Sequence, residues 1–170
     1  MKRNNGYARV ALITTRGAMV GALYVLLTML SSFLGLASGA IQFRLSEMLC
    51  IMPIFFPEAI AGLFIGCAIA NFITGAALWD IIFGSLATLI GAVGAYLMRR
   101  LPKKLKWLAT LPTVIANALI IPPVLIFVYQ VPDAFYLLML FLFIGEAVCA
   151  GILGSMLYYA IDKTKLFSVK

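Results

Sequence analysis

The length of the apolar runs constrains this chain more than any other feature. The first extends from about Leu12 to Leu34, and comparable runs recur to the C-terminal end, each long enough to approach the ~30 Å hydrocarbon thickness of a bilayer. Hydrophobic residues make up 64% of the 170-residue chain and charged residues only 11%. Mean hydropathy is +1.10. A single water-facing domain of this size cannot hide so much apolar surface in one core, whereas lipid, itself apolar, leaves it nothing to hide. The first run has no small-residue cleavage site of the kind that ends a signal peptide, so it is expected to remain as an anchor.

The block 48–75 is too long for one ordinary span at 1.5 Å per residue, and Pro53 and Phe56-Pro57-Glu58 divide it into a short helix, a tight turn and another helix. Six spans result, at about 12–34, 46–56, 58–76, 79–98, 107–130 and 134–161, with Val131-Pro132-Asp133 turning the chain between the last two. The formal net charge of +7 would suggest a nucleic-acid partner in a soluble protein. Here Lys and Arg cluster between the apolar runs, at Lys2, Arg3, Arg9 and Arg16, at Arg99, Arg100, Lys103, Lys104 and Lys106, and at Lys163, Lys165 and Lys170. That pattern reports orientation, and no nucleic acid is expected. Keeping all three clusters on one face requires an even number of crossings between each pair. Four crossings before Arg99 and two after Lys106 satisfy this. The expected fold class is therefore an all-α integral membrane protein of six transmembrane helices in a single domain, with both termini cytoplasmic.

Polar groups inside a bilayer are costly, so each one within a span requires a reason. Asn117 lies about 15 Å above Trp107 along the fifth span, and Glu146 about 18 Å below Ala134 along the sixth, so the two can meet at mid-membrane. Asn71 falls in the outer half of the third span, and Asp80 opens the fourth beside Trp79. Gln42, Phe43, Arg44 and Glu47 come from the first outer loop, and Tyr129 from the last. Arg16 and Glu58 sit at inner helix ends and are left out of any pocket. A proton relay or channel would thread polar residues through the full thickness; their concentration in the outer half favours capture of a small polar solute from outside.

Structural roles compete at every position. Asn117 can bond between helices; Arg44 and Glu47 can pair; Asp80 suits a helix N-terminus; Trp79 and Tyr129 can be interfacial anchors. Glu146 is the hardest to assign to packing, because a mid-membrane carboxyl group must be paired, protonated or ligand-bound. The three cysteines, Cys50, Cys67 and Cys149, have no metal-ligand spacing and read as packing residues, and the chain contains no His. No cofactor or metal is expected. No phosphate-binding loop or hydrolase motif occurs, so an enzyme is disfavoured and any ATP hydrolysis belongs to a partner. In the first span Gly17-x-x-x-Gly21 and Ala18-x-x-x-Ala22 form overlapping small-residue pairs of the kind that let another helix approach closely.

Three stretches resemble the queuosine-precursor transporter (QueT) family: Ile41-Gln42-Phe43-Arg44-Leu45-Ser46-Glu47, Gly62-Leu63-Phe64-Ile65-Gly66-Cys67-Ala68-Ile69-Ala70-Asn71, and Trp79-Asp80-Ile81-Ile82-Phe83-Gly84-Ser85-Leu86-Ala87-Thr88-Leu89. Beyond Arg100 the resemblance rests on span count, Asn117 and Glu146. It implies a substrate-binding S component of an energy-coupling factor (ECF) importer in a bacterial plasma membrane. The implied partners are a transmembrane coupling subunit and two ATPases, and the implied substrate is a deazapurine, 7-aminomethyl-7-deazaguanine or the base queuine. Ala18 and Ala22, with Gly17 and Gly21, match the family's first-helix interface to the coupling subunit. The substrate residues implied are Glu146, Asn117, Asn71, Asp80, Glu47, Arg44, Gln42, Trp79, Phe43 and Tyr129. An S component for another vitamin or nucleobase-like nutrient, and a membrane interaction subunit with no ligand, are the competing readings.

Overall fold

The computed structural model describes residues 4–37, 42–128, 130 and 135–164, and every regular element among them is helical. Helix α1 spans Asn4–Phe33 and is followed by a 3-10 helix, Leu45–Ile54. Helix α2 spans Ala59–Ile73, α3 Leu78–Leu97 and α4 Leu111–Phe127. Helix α5, Phe135–Glu146, runs through a π-helical stretch, Ala147–Leu153, into α6, Gly154–Thr164. Four of these runs are long and apolar enough to cross a membrane: 6–33, 78–100, 103–127 and 135–164. The two shorter ones flank the Pro57 turn. At about 2.0 Å per residue the ten-residue 3-10 helix reaches roughly 20 Å, nearly as far as the fifteen-residue α2 at 1.5 Å.

Local chemistry fixes the helix ends. Helix α1 stops at Gly35, whose φ of +69° is the left-handed turn that glycine adopts without a Cβ penalty. Gly35 N donates to Ser32 O at 3.0 Å and Leu36 N to Ser31 O at 2.9 Å, which satisfies two of the last helical carbonyls. Helix α2 ends the same way on Gly75, φ +74°, with Gly75 N bonded to Phe72 O and Ala76 N to Asn71 O. The opposite end of the bundle gathers the basic residues. Arg16 pairs with Glu58 at 3.4 Å and lies over the Phe56 ring. Phe55 stacks on Tyr158, and Lys103 pairs with Asp162 at 2.9 Å.

The 3-10 helix is the core of the bundle. Eight of its residues are buried, Ser46, Glu47, Leu49, Cys50, Ile51, Met52, Pro53 and Ile54. Helices α1 and α2 meet through glycines. An ideal Cβ on Gly62 would overlap the carbonyl oxygen of Gly17, and one on Gly66 would stand 2.8 Å from that of Gly21. Gly17 and Gly21 are thus packed against α2, whereas Ala18 and Ala22 on the adjacent stripe are exposed. The two helices border an external apolar groove of about 650 Å³ that contains Ala18, Ala22, Ile65 and Ile69.

Candidate functional site

A chain of buried polar groups runs through the interior and centres on Glu47, which is 1% exposed. The Tyr24 hydroxyl of α1 donates to Glu47 Oε1, and the Cys50 thiol, one 3-10 turn along, donates to Oε2 at 3.2 Å. Tyr24 Oη lies 3.5 Å from Thr88 Oγ1 of α3, which in turn donates to Cys67 Sγ of α2 at 3.4 Å. Asn71, one turn beyond Cys67, donates to the same sulfur at 3.5 Å and to the Asp80 carbonyl at 3.2 Å. The start of the 3-10 helix is also tied to α1. Leu45 N donates to Ser31 Oγ at 3.0 Å, and the Ser46 and Thr28 hydroxyls are bonded at 2.8 Å.

A second group faces this chain across Arg44. Arg44 is within electrostatic reach of both Glu47 and Glu146, yet among the described residues it makes no close ion pair. Glu146 ends α5 where the π-helical stretch begins, and the Asn117 side chain of α4 is its hydrogen-bonding partner. Asn117 also donates to the Thr113 carbonyl at 3.3 Å. The other carboxyl oxygen, Glu146 Oε2, is buried without a partner, and so is Gln42 Oε1. A buried polar atom left unpaired costs roughly 1–3 kcal/mol, so each is a point that a polar ligand can complete. The two segments meet at the backbone, since an ideal Cβ on Gly145 would overlap the Gln42 carbonyl oxygen.

The predicted residues are distributed unevenly over this arrangement. Arg44, Glu47, Asn117 and Glu146 are brought together, and the Gln42 backbone packs on Gly145. Asn71 and Asp80, both buried, are bonded to one another and reach the cluster through Cys67. Trp79 stands apart. It is 51% exposed, stacks on Phe83 at 5.9 Å, and lines an external groove with Pro123 and Phe127. Phe43 is half-buried, its N–H donating to the Leu36 carbonyl at 2.8 Å, and Tyr129 lies outside the described residues. Sequence reasoning missed Tyr24 and Thr88, and it read Cys50 and Cys67 as packing residues although both hydrogen-bond within the cluster. Tyr24, Thr28 and Ser31, spaced i, i+4 and i+7 on one face of an apolar helix, were the available signal.

The profile of the QueT transporter family matches residues 14–163. The chain is 38% identical over 109 residues to the queuosine precursor transporter QueT of Lactococcus lactis subsp. cremoris (strain MG1363). That alignment covers 63% of this chain and 60% of the relative's length. No solved structure matches the chain. With a family match that takes in all but the two ends, this chain belongs to the QueT transporter family.

Proposed function

We propose that this chain is the substrate-binding S component of an ECF importer and that it takes up a queuosine precursor, 7-aminomethyl-7-deazaguanine or a queuine-like base. In this reading it crosses a bacterial plasma membrane six times with both termini inside, and the basic end of the bundle is cytoplasmic. The observation that carries the reading is the unpartnered, buried Glu146 Oε2 in a group with Asn117 and Arg44. A guanine-like edge presents two N–H donors that a carboxylate accepts together, and its carbonyl accepts from Asn117, Gln42 or Arg44. The aminomethyl cation takes a second carboxylate, Asp80. Ala18 and Ala22 form the contact with the transmembrane coupling subunit, whose two ATPases supply the energy. Their exposure on α1 supports that assignment.

Native mass spectrometry of the purified protein, with and without added 7-deazaguanine bases, tests the reading. A bound species with the mass of one of these bases is expected. A different bound heterocycle would move the substrate elsewhere within the S-component class, and a protein that ignores every added base would overturn the proposal.

A further inference from the structure

Two buried carboxyl groups approach the proposed ligand site, and they are not equivalent. Glu146 keeps Oε2 unpartnered, whereas both oxygens of Glu47 are engaged, one by Tyr24 and the other by Cys50. Tyr24 is itself 1% exposed and joins four elements. Its own helix α1 meets the 3-10 helix at Glu47, α3 at Thr88 and, through Thr88, α2 at Cys67. The segment it grips is short and stiff, since Leu45 and Ser46 are already bonded to Ser31 and Thr28 of the same helix α1. Arg44 directly precedes that anchored segment and lies within electrostatic reach of Glu146, and the Gln42 carbonyl rests on Gly145. A displacement of Glu47 therefore carries Arg44 and Gln42 with it.

We infer that Tyr24 is a positioning residue for the ligand site: by fixing Glu47 to α1 it sets Arg44 and Gln42 against Glu146, so that Glu146 rather than Glu47 meets the ligand. The inference rests on the S-component reading above and assigns Glu47 to holding the site together.

A double-mutant cycle tests it. The dissociation constant for 7-aminomethyl-7-deazaguanine is measured on the purified full chain as wild type, Tyr24→Phe, Glu47→Leu and the double variant, with thermal unfolding followed alongside. Each single change is expected to weaken binding about tenfold, and the double variant should bind no worse than the weaker single, because both remove one linkage. Wild-type affinity in a folded Tyr24→Phe chain overturns the inference. So do penalties that multiply to about a hundredfold, which would make the two residues independent contributors. A purely structural Tyr24 would move the unfolding transition without this coupling. Should Tyr24→Phe not fold, Glu47→Asp replaces it, since the shorter arm cannot reach the Tyr24 hydroxyl; unchanged affinity there is equally fatal. A wild-type chain that binds no 7-deazaguanine removes the functional reading and this inference together.

Discussion

Gly62→Ala adds one methyl group and is predicted to loosen the α1–α2 seam. An ideal Cβ at this position would overlap the Gly17 carbonyl oxygen and stand 3.0 Å from its carbonyl carbon and 3.3 Å from its Cα. All three are backbone atoms of a helix, so no side-chain rotation relieves the clash and the two helices must part. A gap of roughly 0.5–1 Å forfeits about a quarter to a half of each dispersion contact along the seam. In a membrane such packing drives helix association, because apolar burial does not distinguish a neighbouring helix from lipid. Overpacking of this kind costs about 1–3 kcal/mol, and backbone-on-backbone contact places Gly62 near the upper end. Three kcal/mol is roughly a hundredfold in the folded-to-unfolded ratio. The assay is reversible unfolding in mixed micelles titrated with a denaturing detergent, with Gly6→Ala as control. Gly6 has nothing within 4 Å of its ideal Cβ, and the same chemical change there should stabilise α1 by up to about 1 kcal/mol. Equal unfolding midpoints for Gly62→Ala and wild type would refute the packing argument.

Further outcomes follow from the same geometry. Gly145→Ala should displace the Gln42 carbonyl from its seat beside Glu146 and weaken binding of 7-aminomethyl-7-deazaguanine about tenfold, measured by ligand titration. Ala18→Leu combined with Ala22→Leu should leave unfolding and ligand affinity unchanged, since both alanines are exposed, while abolishing co-purification with the coupling subunit proposed above. Lys103→Ala should shift the unfolding free energy by less than about 0.5 kcal/mol in the same micelle assay, because its pair with Asp162 is largely solvated, the Lys103 side chain being 76% exposed.

The sequence and the structure agree where a single energetic term dominates. Long apolar runs broken at Phe56-Pro57-Glu58 made the helical segments readable, because a chain break in an apolar stretch leaves few alternatives, although Pro53 lies within the 3-10 helix rather than ending it. The 3-10 winding of Leu45–Ile54 and the π-helical stretch after Glu146 were not readable. A uniformly apolar segment looks the same at 3.0, 3.6 or more residues per turn, so periodicity carries no information there. Glu146 and Asn117 stood out because charge and amide groups are expensive in hydrocarbon. Tyr24 did not, since a tyrosine in a span looks like an anchor until its hydroxyl is seen pointing inward. Trp79 shows the opposite case. It resembled a stacking residue because of its neighbour Asp80, yet one helical step of about 100° turns it to the outer face while Asp80 is buried. The Gly17 and Gly21 pair could be recognised as a packing stripe, but its partner, the Gly62 and Gly66 pair, only became apparent once the two helices were side by side.

The most direct test of the central claim is the equilibrium affinity of the purified protein for 7-aminomethyl-7-deazaguanine, compared between wild type and Glu146→Gln. The substitution keeps size and one acceptor oxygen but exchanges the other oxygen for an amide donor, which opposes the ring N–H groups. Charge-assisted bonds of this kind contribute about 1.5–3 kcal/mol, so a loss of roughly ten- to a hundredfold or more is predicted with folding intact. Equal affinities for the two proteins would contradict the account and take Glu146 out of the ligand site.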